Sequence, residues 1–199
     1  YAPLVVDKLD SKAAGQILAA MLRAGASKTD ITDYMNKLSS KWWTDDDITC
    51  AFLDEIKALG IKPTELQSLL DQRLIKKLFD NLEAMWTTDS EYSKIEELAL
   101  SATVETKAYM IERLMKGPTF QRARQAIANI LNTLNPTEMA KILDLVDVSW
   151  LASELKDTAL YKDVLTKIMA TDRQDKIATF VAGGSKENTI AAWHAMSWE

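Results

Sequence analysis

The feature that most constrains this chain is its shortage of glycine and proline. Six glycines and four prolines occur among its 199 residues, roughly half of what average usage of about 12% would give. An all-β sandwich or barrel of this length needs turn residues between most of its strands. The shortage therefore argues against that class and favours helices joined by short loops.

Apolar residues recur at helical spacing along nearly the whole sequence. A representative stripe consists of Phe52, Leu53, Ile56 and Leu59. Steps of three and four residues place such side chains on one face of a helix. No segment alternates apolar and polar residues for long enough to predict a strand. The pattern predicts an all-α fold of roughly ten helices.

Several helix starts are marked by their own residues. Pro63 and Pro136 each precede a Thr-Glu pair, and proline suits the first helical position because that N–H has no partner within the helix. Asn135 is a good N-cap residue, whereas Lys62 is not. Ser27 is one of three candidates, with Thr29 and Asp30, for the cap of a helix that runs through Leu38.

The acidic run Asp45–Asp47 follows Thr44, which can cap a helix. Three carboxylates in a first turn face the positive end of the helix dipole, so dipole complementation explains the run better than cation binding does. The sequence therefore predicts a helix that starts at this run.

An internal repeat emerges from these starts. Residues 63–71 match residues 136–144 at an offset of 73, and upstream matches such as Tyr34 with Tyr109 lie at an offset of 75. Repeats of about 70–75 residues stack neighbouring units into one core. We interpret the chain as a single helical-repeat domain, 1–199, made of a partial repeat 1–42, repeats 43–117 and 118–184, and a C-terminal partial repeat or tail 185–199.

Short motifs in this repeat resemble those of annexins. Met115-Lys116-Gly117-Pro118-Thr119 is similar to the annexin inter-repeat loop Met-Lys-Gly-x-Gly-Thr, with one residue missing. Thr44–Asp47 is similar to the start of an annexin repeat, and Arg73–Leu82 to its third helix. The resemblance covers residues 30–184 and implies an annexin-like array of five-helix repeats. Similar short helical repeats also occur in large bacterial proteins linked to secreted toxins and injection machines.

The annexin resemblance implies a calcium site in each repeat. In annexins, loop carbonyls and an acidic side chain about 39 positions after the loop threonine supply the oxygen ligands. Glu83 and Asp157 lie 39 and 38 positions after the corresponding threonines. Gly117 supplies the backbone freedom such a loop needs. The first loop has no glycine, so the resemblance implies weak or lost calcium dependence, and the two acids can equally be solvated helix ends.

Tryptophan is abundant and supplies the candidate anchors. Trp42 and Trp43 are adjacent on the first predicted loop, where aromatic side chains insert at membrane interfaces or anchor a protein partner. The alternative is that both plug the end of the helical stack. The apolar segment Trp193–Trp198 either docks back on the body or forms an interface in a larger assembly.

Composition narrows the chemistry. The net charge of −5 gives no help to nucleic-acid binding. Cys50 and His194 are the sole cysteine and histidine, so no zinc spacing exists. Cys50 is interpreted as a small hydrophobe, because a nucleophilic role would need His194 as its base.

Targeting signals are absent from the sequence. No stretch reaches 18 apolar residues, and Tyr1–Val6 lacks the basic start of a signal peptide. We expect a cytoplasmic protein or one exported by a non-classical route. Because the sequence does not begin with methionine, we expect it to be trimmed or part of a larger protein.

The combined prediction is a non-enzymatic binding module. In its first form the module docks on acidic membrane surfaces through Trp42 and Trp43, with calcium as the sole candidate cofactor. In its second form it is a protein-interaction or structural segment of a bacterial secreted toxin or contractile injection system. A third alternative is an enzyme with unrecognised carboxylate chemistry.

Overall fold

The computed structural model describes residues 10–39, 45–83, 87–116, 121–185 and residue 190, and 80% of these residues are helical. No strand occurs among them, which confirms the all-α prediction. Within this part of the chain there are twelve helices rather than roughly ten: α1 (Ser11–Arg23), α2 (Lys28–Ser39), α3 (Asp45–Ala58), α4 (Pro63–Leu69), α5 (Gln72–Leu82), α6 (Asp89–Ala99), α7 (Val104–Lys116), α8 (Gln121–Asn132), α9 (Pro136–Leu145), α10 (Val148–Leu155), α11 (Leu160–Met169) and α12 (Gln174–Gly183).

The predicted helix starts hold where the structure describes them. Pro63 and Pro136 are the first residues of α4 and α9. Ser27 caps α2, because its Oγ accepts the Asp30 N–H at 3.1 Å. The acidic run Asp45–Asp47 forms the first turn of α3, while Thr44 lies outside the described residues.

Two helix breaks lack any glycine or proline. Leu70 and Val146 are extended residues that separate α4 from α5 and α9 from α10. Asp71 and Asp147 then cap the next helix, accepting backbone N–H groups at 2.8 and 3.0 Å. A capping aspartate thus restarts the helix almost at once.

The chain divides into two compact units, Tyr1–Ala102 and Thr103–Glu199. The division falls between α6 and α7, inside the repeat predicted to span 43–117. The predicted repeat boundaries therefore do not coincide with the division into units, and they stay predictions.

In the first unit, α3 is the central helix, packing against α1, α5 and α6. Gly15 of α1 lies against Ala51 and Phe52, and a Cβ at this glycine would come within 2.6 Å of the Phe52 nitrogen. Phe52 and Phe79 are fully buried in the resulting core. A missing side chain thus lets two backbones approach closely.

In the second unit, α7 packs against α8 and α9, and α10 packs against α12. Gly183 has the same role there, because its Cβ would lie 2.7 Å from the Ala152 Cβ. The ring of Tyr161 stacks on Phe180 with centroids 4.8 Å apart, and its hydroxyl donates to the Phe180 carbonyl at 3.0 Å.

The helices of the two units follow one another in similar order. From α3 to α6 and from α8 to α11, four helices succeed one another with their starts offset by 76, 73, 76 and 71 residues. The starts of α5 and α10 are 76 residues apart, three more than the offset of 73 at which the two sequence segments match. Three residues are close to one helical turn, so the apolar faces match at either offset. The tandem repeat stays a prediction.

Candidate functional site

The residues predicted as membrane or partner anchors, Trp42 and Trp43, lie outside the described residues, as does Gly117. The C-terminal segment Trp193–Trp198 lies outside them too. Their predicted roles stay predictions. Among the helices that are described, none is long and apolar enough to cross a membrane.

The two predicted calcium acids belong to different units. Glu83 follows α5 as its C-cap residue, and its N–H donates to the Phe79 carbonyl at 2.8 Å. Asp157 is exposed in the turn between α10 and α11. Within the described ranges, no group of three or more His, Cys, Asp or Glu side chains is arranged to hold a metal ion. Calcium binding stays a prediction.

The structure draws attention instead to a cavity of about 350 Å³ in the first unit. It lies among α3, α4, the end of α6 and the loop that joins α3 to α4. Its lining residues come from all four segments: Leu53, Ile56, Lys57, Gly60, Ile61, Lys62, Pro63, Leu66, Glu97, Leu98 and Ser101.

The end of α3 shapes one wall of this cavity. Gly60 has a φ of +72°, which side chains disfavour. Its N–H donates to the Lys57 carbonyl, and the Ile61 N–H donates to the Ile56 carbonyl at 3.2 Å. This pair of bonds is a Schellman motif, which brings the residue after the glycine back towards the last turn. Both Ile56 and Ile61 consequently line the cavity.

The walls of the cavity are mainly aliphatic. Leu53, Ile56, Leu66 and Leu98 are all buried in the first unit. These side chains give the cavity an apolar lining.

An ion pair bridges α3 and α6 beside the cavity. Lys57 Nζ and Glu97 Oε1 lie 2.6 Å apart, and both side chains are largely exposed. The hydrogen bond to Glu97, and then its negative charge, raise the pKa of Lys57. A second pair, Lys94 with Asp54, joins the same two helices. Of these four residues, Lys57 and Glu97 line the cavity, together with Lys62.

Ser101 adds a buried polar group to the cavity wall. The residue is fully buried, and its Oγ has no hydrogen-bond partner in the structure. Buried hydroxyls are normally hydrogen-bonded, because leaving one unpaired costs about 1–3 kcal/mol.

Cys50, on the same helix α3, is half-buried and free. Burial raises the pKa of its thiol to about 11, with Lys94 opposing the shift and nearby acids adding to it. The thiol is therefore protonated at neutral pH, whereas a nucleophilic cysteine needs a lowered pKa. This agrees with its interpretation as a small hydrophobe.

The second unit is built differently at the matching place. Leu134 is 3% exposed, whereas Leu59, its counterpart at an offset of 75, is 37% exposed. At the positions of Lys57 and Glu97 the second unit has Asn132 and the buried Ile168. The Asn132 carbonyl accepts a hydrogen bond from Lys167 at 3.2 Å. The ion pair of the first unit has no equivalent at these positions.

The cavity was not predicted from the sequence, although the longer loop that helps to line it was visible there. The loop of residues 60–62 in the first unit stands against Asn135 alone in the second. That loop supplies three lining residues. The opposite wall, Leu98 and Ser101, comes from about 40 residues further along the chain, and no local pattern brings the two walls together.

Comparison of the chain with protein-family profiles, curated proteins and solved structures finds no match. The annexin resemblance therefore stays a prediction, and the geometry of the cavity carries the functional argument.

Proposed function

We propose that this chain is a binding module that docks on another protein and receives one of its apolar side chains in the cavity of the first unit. The observation that carries this proposal is the cavity of about 350 Å³ itself, with its aliphatic walls and few polar groups. Binding sites are typically concave and apolar, with a small number of polar groups that orient the bound molecule.

A protein partner explains the surroundings of the cavity better than a small molecule does. Leu59 and Leu100 are exposed, and each directly precedes a lining residue, Gly60 or Ser101. Apolar surface is therefore exposed at residues next in sequence to the cavity lining. Protein interfaces combine such a surface with a central pocket that buries one anchor side chain.

The acidic-membrane alternative has weaker support from charge. The first unit has 12 basic and 17 acidic residues, whereas the second has 12 of each. Anionic lipid attracts clusters of basic residues, and the first unit has the opposite balance. We therefore favour a protein partner for the unit that contains the cavity.

Selection from a displayed random-peptide library tests this proposal on the full chain. The cavity-filled variant Ile61→Trp serves for counter-selection, and Leu145→Trp, which adds the same side chain at an exposed position of the second unit, is the matched control. We expect peptides with a large apolar residue that bind the wild type and Leu145→Trp but lose at least tenfold in affinity for Ile61→Trp.

Circular dichroism first establishes that both variants are folded. Selected peptides that bind Ile61→Trp as tightly as wild type would contradict the proposal. Binding to vesicles of phosphatidylserine and phosphatidylcholine that Ile61→Trp does not change, without any selected peptide, would favour the membrane alternative instead.

A further inference from the structure

Three charged side chains line the cavity, and two of them largely neutralise each other. These charged lining residues are Lys57, Lys62 and Glu97. Lys57 Nζ lies 2.6 Å from Glu97 Oε1, so a molecule in the cavity meets this pair as a nearly neutral group. The ammonium of Lys62 is left over and gives the lining a net positive charge.

Lys62 is held at the cavity by its backbone, while its side chain is exposed. Its N–H donates to Glu65 Oε2 at 3.1 Å, and its carbonyl accepts the N–H groups of Glu65 and Leu66 at 3.0 and 2.9 Å. Among the residues that the structure describes, no carboxylate forms an ion pair with the Lys62 ammonium. This charge is therefore available to a bound molecule.

Lysine is also an unfavourable residue for the position that Lys62 occupies. It is the N-cap of α4, and its side chain makes no capping hydrogen bond, because an ammonium has no acceptor. The matching residue of the second unit is Asn135, whose Oδ1 accepts the Glu138 N–H at 2.9 Å. The first unit thus carries a positive charge at its cavity where a capping residue would stabilise the helix. Residues that break a local rule of stability in this way are expected at functional sites.

We propose that Lys62 pairs with a carboxylate of the partner protein, supplied by an aspartate or glutamate next to the apolar side chain that enters the cavity. This inference rests on the function proposed above and adds the chemistry of the partner. The aliphatic walls bury the anchor, and the ammonium beside them selects the residue that neighbours it.

The charge of the whole unit limits how acidic the partner segment can be. The first unit contains more acidic than basic residues, so it does not attract a strongly acidic segment from a distance. At physiological ionic strength an exposed charge acts over about 8 Å. We therefore expect one acidic residue close to the anchor and not a run of them.

The random-peptide library, selected in parallel on the wild type and on Lys62→Asn, tests this inference on the full chain. Peptides selected by the wild type should contain aspartate or glutamate next to the apolar anchor more often than the unselected library does. Lys62→Asn should select the same anchors without that excess. Because asparagine is the better N-cap, this variant should unfold in urea no earlier than the wild type, so a loss of recognition cannot be a loss of folding.

Calorimetry with one selected peptide then measures the pairing itself, by comparing the peptide with a copy in which an amide replaces its carboxylate. Exposed ion pairs are weak, so we expect the wild type to bind the acidic form about threefold more tightly, by a margin that shrinks as sodium chloride is added. This preference should vanish in Lys62→Asn and persist in Lys62→Arg, which keeps the charge. Lys141→Asn is the matched control, since it removes the charge of an exposed lysine in α9 of the second unit, and it should keep the preference.

The outcomes separate this inference from the proposed function. Peptides that lose affinity for Ile61→Trp but bind Lys62→Asn as tightly as wild type would overturn the pairing and leave the cavity as a protein-binding site. An equal loss of the preference in Lys141→Asn would overturn the pairing too, because net charge would then be the cause. If the wild type selects no peptide, or only peptides that Ile61→Trp binds equally well, the proposed function fails and this inference fails with it.

Discussion

The two units have a similar order of helices but differ at one junction, which joins α3 to α4 in the first unit and α8 to α9 in the second. In the first unit, three residues join α3 to α4 after Leu59, which is exposed, and a cavity opens beside them. In the second, Asn135 alone separates Leu134 from Pro136, and Leu134 is buried. The longer loop therefore coincides with a cavity that its own residues help to line.

The two units also differ in net charge. The acidic excess of the whole chain lies in the first unit, since basic and acidic residues balance in the second. The cavity and the acidic charge of the first unit underlie the proposal that this unit binds the partner, and the second unit serves as an internal comparison.

The largest expected effect on stability comes from adding a side chain at the two glycines where helices are in close contact. In Gly15→Ala the new Cβ would lie 2.6 Å from the Phe52 nitrogen, a backbone atom, whereas in Gly183→Ala the nearest backbone atom is 3.2 Å away. We expect Gly15→Ala to lower the free energy of unfolding by about 2–3 kcal/mol and Gly183→Ala by about 1 kcal/mol. Urea unfolding followed by circular dichroism measures both. Equal losses would show that the two glycine contacts are equally tight.

The next largest effect on stability is expected from substitutions at the helix N-caps. Asn135 Oδ1 accepts the Glu138 N–H at 2.9 Å, and Glu138 Oε2 accepts the Asn135 N–H at 3.0 Å. At the matching start of α4, only the bond from the Lys62 N–H to Glu65 is present, because a lysine side chain offers no acceptor. We expect Asn135→Ala to lower stability by about 1 kcal/mol and Lys62→Asn to raise it by a similar amount. Unchanged stability in Lys62→Asn would contradict this account.

Alkaline pH should lower the stability of the two units at different pH values, with a smaller effect than the substitutions above. Burial raises the pKa of Cys50 from 9.0 to about 11, so the folded state holds this proton more tightly than the unfolded chain does. The stability is therefore complete below pH 9 and declines as the pH rises from 9 towards 11. Burial also raises the pKa of Tyr161 from 10.0. The stability that this residue contributes to the second unit therefore begins to fall only above pH 10.

Urea unfolding of the Cys50→Ala variant between pH 8 and pH 11 measures this difference. We expect its stability to fall less steeply than that of the wild type once the pH exceeds 9, while Tyr161→Phe should match the wild type until pH 10. A wild-type thiol that reacts with iodoacetamide as fast at pH 8 as a free cysteine would contradict the raised pKa.

The smallest effect concerns the ion pair at the cavity. Both side chains of the Lys57–Glu97 pair are largely exposed, and such pairs add little to stability. We expect Glu97→Gln to leave the urea midpoint within experimental error of the wild type. A clear destabilisation would mean that the pair holds α3 against α6.

Much of the fold could be predicted from sequence because its signals are local. Pro63, Pro136 and Ser27 mark helix starts through their own backbone chemistry, and the structure confirms each of them. The breaks at Leu70 and Val146 contain no glycine or proline to mark them. The caps at Asp71 and Asp147, which begin the next helices, were not predicted from the sequence.

The candidate site could not be predicted, because it depends on packing between distant segments. The sequence located the loop of residues 60–62 and the glycine in it, but not that Leu98 and Ser101 would face the same space as Leu53. Equally, the acids Glu83 and Asp157 matched a spacing learned from another family. Spacing alone does not bring ligands together, and whether they bind calcium stays a prediction.

The measurement that tests the central claim most directly is methyl NMR of the full chain during titration with a peptide selected from the random library. The account predicts shifts for the methyl groups of Leu53, Ile56, Leu66 and Leu98, with those of Leu134 and Ile168 in the second unit unmoved. Shifts confined to the second unit, or shifts in the first that persist in Ile61→Trp, would contradict it.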